Sequence, residues 1–143
     1  MNAYKKNGGF TLIEIMVVLV ILGVMAALVV PRVLGRTEDA RKTAAKSDIS
    51  SMLSALKLYN LDNQRYPTKE QGLDALVHKP NIAPLATNFK EGGYLDKLPN
   101  DPWGRPYIYL NPGKHGEVDI YTPGPNGDAN SDDSGPDVIG SWQ

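Results

Sequence analysis

Two stretches of this 143-residue chain hold side chains whose type and spacing could do chemistry. The first is Gly8-Gly9-Phe10-Thr11-Leu12-Ile13-Glu14, a small-residue pair followed by an apolar run with one early carboxylate. The second is Gly124 to Asp137, GPNGDANSDDSGPD, with aspartates at 128, 132, 133 and 137 and no basic residue. In it Asn126, Asp128, Asn130 and Asp132 alternate, with Asp137 later, and this follows the oxygen-ligand spacing of a calcium loop. The match to an EF-hand is imperfect: Ser131 stands where Gly is wanted and Asp137 replaces Glu. The same composition also suits a solvated acidic tail. From the residues alone both readings stay open.

Glu14 is the only charge between Phe10 and Val30. A carboxylate at the centre of a bilayer costs about 2.5–3.5 kcal/mol, and less near the end of a span. It is either a charge tolerated near the interface or one with a partner. A cut after Gly9 would supply that partner, because it frees an α-amino group on Phe10. In a stack of such helices the amine of one chain could meet Glu14 of its neighbour and set the register. The position of the small pair bears on this. An ordinary secretory signal is cut after its apolar stretch, so the anchor is discarded. Here Gly8-Gly9 precedes the stretch, so a cut removes only the leader and keeps the anchor. An uncleaved signal-anchor helix is the other reading that the residues allow.

Other chemistry is excluded or unsupported. There is no cysteine, so no disulfide, thiol nucleophile or zinc–thiolate site. With only His78 and His115, a His-rich metal site is also excluded. The formal net charge of −1 gives no basic field for nucleic acid. No Ser/His/Asp set is recognisable, and no enzymatic activity is expected. Trp103 and Trp142 read as packing residues at domain edges, His78 and His115 as exposed polar positions, and Tyr107 and Tyr109 as strand residues.

The elements that must position these sites are read from the hydrophobic pattern. Residues 10–30 are long enough to span about 30 Å as a helix, the thickness of a bilayer core. Lys5 and Lys6 before them favour a cytoplasmic N-terminus, and Arg32 and Arg36 beyond them weaken that orientation. After Pro31, Ala45, Ile49, Met52, Leu56 and Tyr59 recur every three or four residues, with Leu53 widening the stripe. One helix is therefore expected from Phe10 to about Leu61, apolar all round in its first half and amphipathic in its second, with its weakest stretch around Pro31. Thr68-Lys-Glu-Gln71 fits a capping box ahead of a short helix carrying Leu73, Leu76 and Val77. Residues 79–93 read as a loop and Asp101-Pro-Trp-Gly104 as a turn. Tyr107–Leu110 and Glu117–Thr122 read as strands around an Asn111–Gly116 loop. In the second strand Val118, Ile120 and Thr122 are expected inward, and Asp119 and Tyr121 outward.

Gly9-Phe10-Thr11-Leu12-Ile13-Glu14, followed by Ile15-Met16-Val17-Val18, resembles the processing motif of type IV pilins and pseudopilins. Leu61-Asp-Asn63, Tyr66-Pro-Thr68, Gln71-Gly-Leu73, Gly93-Tyr94-Leu95, Asp101-Pro-Trp-Gly104 and Ile139-Gly-Ser-Trp142 resemble the protein G family of type II secretion, the major pseudopilins. The likeness covers essentially the whole chain. It implies an α+β pilin-like fold: a long N-terminal helix on a short αβ region and a small antiparallel sheet with a C-terminal calcium loop. It implies that residues 1–9 are a leader removed by prepilin peptidase between Gly9 and Phe10, and that Phe10 is N-methylated. Residues 10–31 would be the transmembrane and assembly half of the helix, with Glu14 guiding assembly, and residues 32–143 a periplasmic domain.

The implied role is the major subunit of a periplasmic pseudopilus that drives folded proteins through the outer membrane. Its partners would be further copies of itself, minor pseudopilins, the peptidase/N-methyltransferase, the inner-membrane platform and, indirectly, a cytoplasmic ATPase. Members of the family carry calcium in the C-terminal loop, held by aspartates and main-chain carbonyls. Carried to this chain, the candidate ligands are Asn126, Asp128, Ser131, Asp133 and Asp137, foremost Asp133 and Asp137. Asn126 stands where the family usually has Asp, and Val138 reads as an extra residue. A type IV pilin for adhesion or motility is the alternative, although many of those close this loop with a disulfide.

Overall fold

The computed structural model describes residues 9–127 and 133–143, and at positions 29–34 the backbone alone. Helix α1 runs from Leu12 to Asn63, 52 residues. The chain divides after Glu38 into two compact units.

In the first unit every large hydrophobic side chain from Phe10 to Leu28 is exposed, the most covered being Val18 at 47%. That is how a helix apolar on all sides must stand when its own chain offers it nothing to bury against. Among the described residues no helix is long and apolar enough to cross a membrane. The backbone stays helical through Pro31. Proline deletes one backbone hydrogen bond, and the helix on either side holds the geometry. The expected weakness at Pro31 concerns the assembled filament.

In the second unit the stripe predicted from spacing is the helix's buried face. Ala45, Ile49, Met52, Leu56 and Tyr59 are buried, while Lys46, Ser50, Ser54 and Lys57 are exposed. Leu56 is fully enclosed, which contributes about 1.5–3 kcal/mol relative to leaving it in water. The stripe packs with Leu73, Leu76, Tyr94, Tyr107, Tyr109, Val118, Ile120 and Ile139 in one core. Asn63 closes the helix. Its amide donates to the Tyr59 carbonyl and Tyr94 hydroxyl, both at 3.1 Å, and its oxygen accepts from the Asn88 amide at 3.1 Å.

The capping box forms as expected. Thr68 N donates to Gln71 Oε1 at 2.9 Å, and Gln71 N donates to Thr68 Oγ1 at 3.2 Å. It encloses a turn rather than an α-helix, because Gly72 takes φ +62° and breaks the helical path, and Leu73–Leu76 beyond it forms a 3₁₀ helix. Gln71 Nε2 then donates to the carbonyls of Ile82 and Pro84, fastening the 79–93 loop.

Three short strands make one antiparallel sheet in chain order: β1 Ile108–Leu110, β2 Asp119–Thr122 and β3 Ile139–Gly140. Tyr109 stands opposite Ile120, and Tyr121 opposite Gly140. Asp119 and Tyr121 lie on the face of β2 away from the helix, as expected, since the core on the helix takes Val118 and Ile120 and leaves Tyr121 out. That face is covered, however, and both are buried. The chain end covers Tyr121, whose ring lies 6.0 Å from that of Trp142. Asp119 is buried because its carboxylate folds the β1–β2 loop over itself. Lys114 N and His115 N donate to its Oδ2 at 2.6 and 2.9 Å, and Gly116 N donates to Oδ1 at 3.1 Å.

Candidate functional site

The N-terminal candidate begins at Gly9 and Phe10, both exposed. The leader residues before Gly9 lie outside the described residues. Glu14 turns back to its own helix start. Its Oε2 accepts from Thr11 N at 3.2 Å and from Thr11 Oγ1 at 3.4 Å, and Glu14 N donates to Thr11 Oγ1 at 3.3 Å. This reciprocal pair is a capping box, which satisfies two of the free donors at a helix start. A carboxylate in the first turn is also favoured by the helix dipole. Glu14 therefore has partners within its own chain, a contact that reading it only as a charge awaiting a neighbour does not reveal.

The C-terminal loop is closed at a neck. Gly124 takes φ +76°, and a Cβ on it would lie 2.0 Å from the carbonyl oxygen of Asp137, so only glycine lets the two ends of the loop meet. Across the neck Asn126 Nδ2 donates to Asp137 Oδ2 at 2.8 Å. Lys42 Nζ lies 3.9 Å from Asp137 Oδ1. The Arg105 guanidinium props the neck, donating to the carbonyls of Gly124 and Gly127. Arg105 is itself held by Asp101, a fully buried carboxylate 3.2 Å away. Asp101 also accepts from Arg105 N at 2.7 Å, from Trp103 N at 3.1 Å and from the Thr122 hydroxyl. The Asp-Pro-Trp-Gly turn and the acidic loop are thus one assembly.

Asp133 points elsewhere. Its Oδ1 accepts from Lys114 Nζ at 2.7 Å, and its Oδ2 lies 3.1 Å from His115 Nε2. Its side chain is 6% exposed. The Lys114 hydrogen bond holds its carboxyl below the usual carboxylate range. A depressed pKa means that this contact stabilises the fold above the ordinary carboxyl pKa of about 4, and that the contribution is lost as the pH falls below it. The His115 ring stacks on Trp142, centroids 4.0 Å apart and planes 22° apart. Of the five candidate ligands, the structure brings Asn126 and Asp137 together and holds Asp133 against Lys114 and His115 of the β1–β2 loop. Asp128 and Ser131 lie outside the described residues. Among the described residues no group of three or more His, Cys, Asp or Glu is placed to hold a metal.

Residues 32–142 match the family described as Type II secretion system (T2SS), protein G, and residues 4–30 match a prokaryotic N-terminal methylation motif. The chain belongs to the type II secretion protein G family. It is 51% identical over 138 residues to a type II secretion system core protein G of Aeromonas hydrophila, spanning 96% of this chain and 94% of that one. It is 52% identical over 138 residues to the protein of that name from Pseudomonas aeruginosa, spanning 96% of each. The crystal structure of the major pseudopilin from the type 2 secretion system of enterohaemorrhagic Escherichia coli superposes with a TM-score of 0.69 at 45% identity. That match covers 76% of this chain and 88% of that one. The pilin-like α+β fold is therefore shown. The family is one of structural subunits rather than enzymes, and its methylation motif marks a bacterial, membrane-anchored protein.

Four residues matter in this family frame without having stood out in the sequence. Thr11 was readable, since Thr-x-x-Glu is a capping signature. Asp119, a carboxylate in an otherwise apolar strand, also signals a buried role. Nothing local signalled that Arg105 would reach the neck or His115 the acidic loop, because the neck carbonyls lie 19 and 22 residues from Arg105 and Asp133 lies 18 residues from His115 in sequence. His115 is exposed, as expected, and is in addition stacked on Trp142 and hydrogen-bonded to Asp133.

Proposed function

We propose that this chain is the major subunit of a type II secretion pseudopilus, made as a precursor and cut between Gly9 and Phe10. Phe10 is then N-methylated. Residues 10–31 hold the subunit in the inner membrane as a single span, N-terminus cytoplasmic, with residues 32–143 in the periplasm. The subunits leave the bilayer to stack into a filament that drives folded proteins outward. The prepilin peptidase/N-methyltransferase, minor pseudopilins, the inner-membrane platform and a cytoplasmic ATPase are the partners this reading requires. One observation carries it: a single helix wraps no protein around its apolar first half and buries one stripe of its second half in a folded core. A helix built so is covered by lipid or by copies of itself, and a repeated contact between unlike faces grows a helical filament. Intact mass of membrane-extracted protein tests the reading. The mature chain should start at Phe10 with one added methyl, and replacing Gly9 with a bulky residue should leave full-length precursor and stop secretion. A chain starting at Met1 in cells that have the peptidase overturns it.

We also propose calcium as the ligand of the C-terminal loop, held by Asn126, Asp128, Ser131, Asp133 and Asp137. The candidate side chains offer only oxygen, the donor that suits a hard cation. The neck at Gly124 and Asp137 supports this reading by bringing two of the five together already. When bound, the ion would supply the positive charge that lets the carboxylates gather. Calcium at one hundred times its dissociation constant should stabilise the chain by about 2.7 kcal/mol. The detergent-solubilised chain, first stripped of metal, should therefore melt at a higher temperature in calcium than in chelator. Asp137→Ala should abolish the difference, and equal melting of the unaltered chain in both would leave the loop a solvated tail.

A further inference from the structure

We infer that Lys114 and His115 form an internal lock on Asp133 which calcium must open, so that Lys114 sets the calcium affinity of the loop. The inference rests on the calcium reading above. Both oxygens of Asp133 are engaged, one by Lys114 Nζ at 2.7 Å and one by His115 Nε2 at 3.1 Å. Neither donor belongs to the acidic loop. Both come from the β1–β2 loop, which is held by three amide hydrogen bonds to the buried Asp119. The lock is thus presented by a rigid part of the fold. Asn126 and Asp137 have meanwhile found each other across the neck without Asp133.

Calcium takes its oxygens at 2.3–2.6 Å and needs six to eight of them. An ammonium hydrogen-bonded to the same carboxylate oxygen would stand only about 5 Å from the dication, and the two would repel. Lys114 and calcium therefore compete for Asp133 and do not share it. Lys114 is long, and its side chain is 61% exposed, so it can swing into solvent. The His115 ring has less freedom, because it lies on the Trp142 indole. Release of Asp133 therefore changes the surroundings of Trp142, and the chain end reports whether the lock is open.

Calorimetric titration of calcium chloride into the metal-stripped full-length chain in detergent tests this. The comparison is between the unaltered chain, Lys114→Met and Lys57→Met. Lys57 lines the same cleft as His115 and Trp142, so its loss removes an equal charge nearby. Lys114→Met should bind calcium about two- to five-fold more tightly, the size an exposed ion pair carries. Lys57→Met should bind like the unaltered chain. With 5-fluorotryptophan incorporated, the fluorine resonance of Trp142, assigned through Trp142→Phe, should shift on saturation of the unaltered chain. Unchanged or weaker binding by Lys114→Met, equal tightening by both variants, or a stationary Trp142 resonance each overturns the lock while leaving the calcium reading intact. An unaltered chain that binds no calcium overturns both.

Discussion

Asp119 shows how much one side chain can organise. A carboxylate 1% exposed would be a liability in a strand, yet it accepts from three consecutive amides and so determines the path of residues 114–116. Charge-assisted hydrogen bonds of this kind carry about 1.5–3 kcal/mol each when no water can replace them. The loop is partly exposed, so water recovers some of that. Asp119→Ala is accordingly expected to destabilise the chain by about 2–4 kcal/mol, read as a lowered denaturation midpoint. Amide exchange at 114–116 should speed up in the same variant. A midpoint unchanged from the unaltered chain would mean that the three amides are as well served by water. Asp101 does a comparable job, tying Arg105 to the neck of the acidic loop.

Among the elements, those with a repeating pattern were legible. The stripe from Ala45 to Tyr59 is a buried helical face because 3.6-residue periodicity records which side meets the core. The Thr68–Gln71 box and the strands β1 and β2 were legible for the same reason, each having a local signature. β3 was not, since two residues, Ile139 and Gly140, are too few to show alternation. It forms because β2 offers an edge, and because Gly140 lets the Trp142 ring fold back, where a Cβ would stand 2.5 Å from the ring. Alternation assigned Asp119 and Tyr121 to the face of β2 away from the helix, but it carries no information on whether that face meets water. Here the chain end and the β1–β2 loop cover the second face. The candidate metal site divides along the same line. The alternation of oxygen donors was visible, whereas the capture of Asp133 by Lys114 and His115 depends on contacts 18 and 19 residues apart.

At the scale of the whole molecule, the question is what puts subunits in register, and Glu14 separates the answers. Apolar packing alone is tolerant of slippage, since one apolar turn resembles the next. A charge pair between Glu14 and the Phe10 amine of a neighbour would remove that tolerance, because a misplaced carboxylate in an apolar stack has no partner. Within one chain, however, Glu14 already accepts from Thr11 N and Thr11 Oγ1. Its removal therefore deletes a helix cap as well as a charge. Glu14→Gln resolves the two, because glutamine still closes a capping box but carries no charge. Glu14→Ala should insert in the membrane more readily, having no carboxylate to desolvate, and filament yield should nevertheless fall. If charge pairing sets the register, Glu14→Gln should assemble as poorly as Glu14→Ala. Recovery of filaments by glutamine would assign the role to the cap at Thr11, and normal yield from both variants would leave the register to apolar packing alone. Counting filaments by electron microscopy at matched expression levels, with membrane insertion measured in parallel, decides among the three.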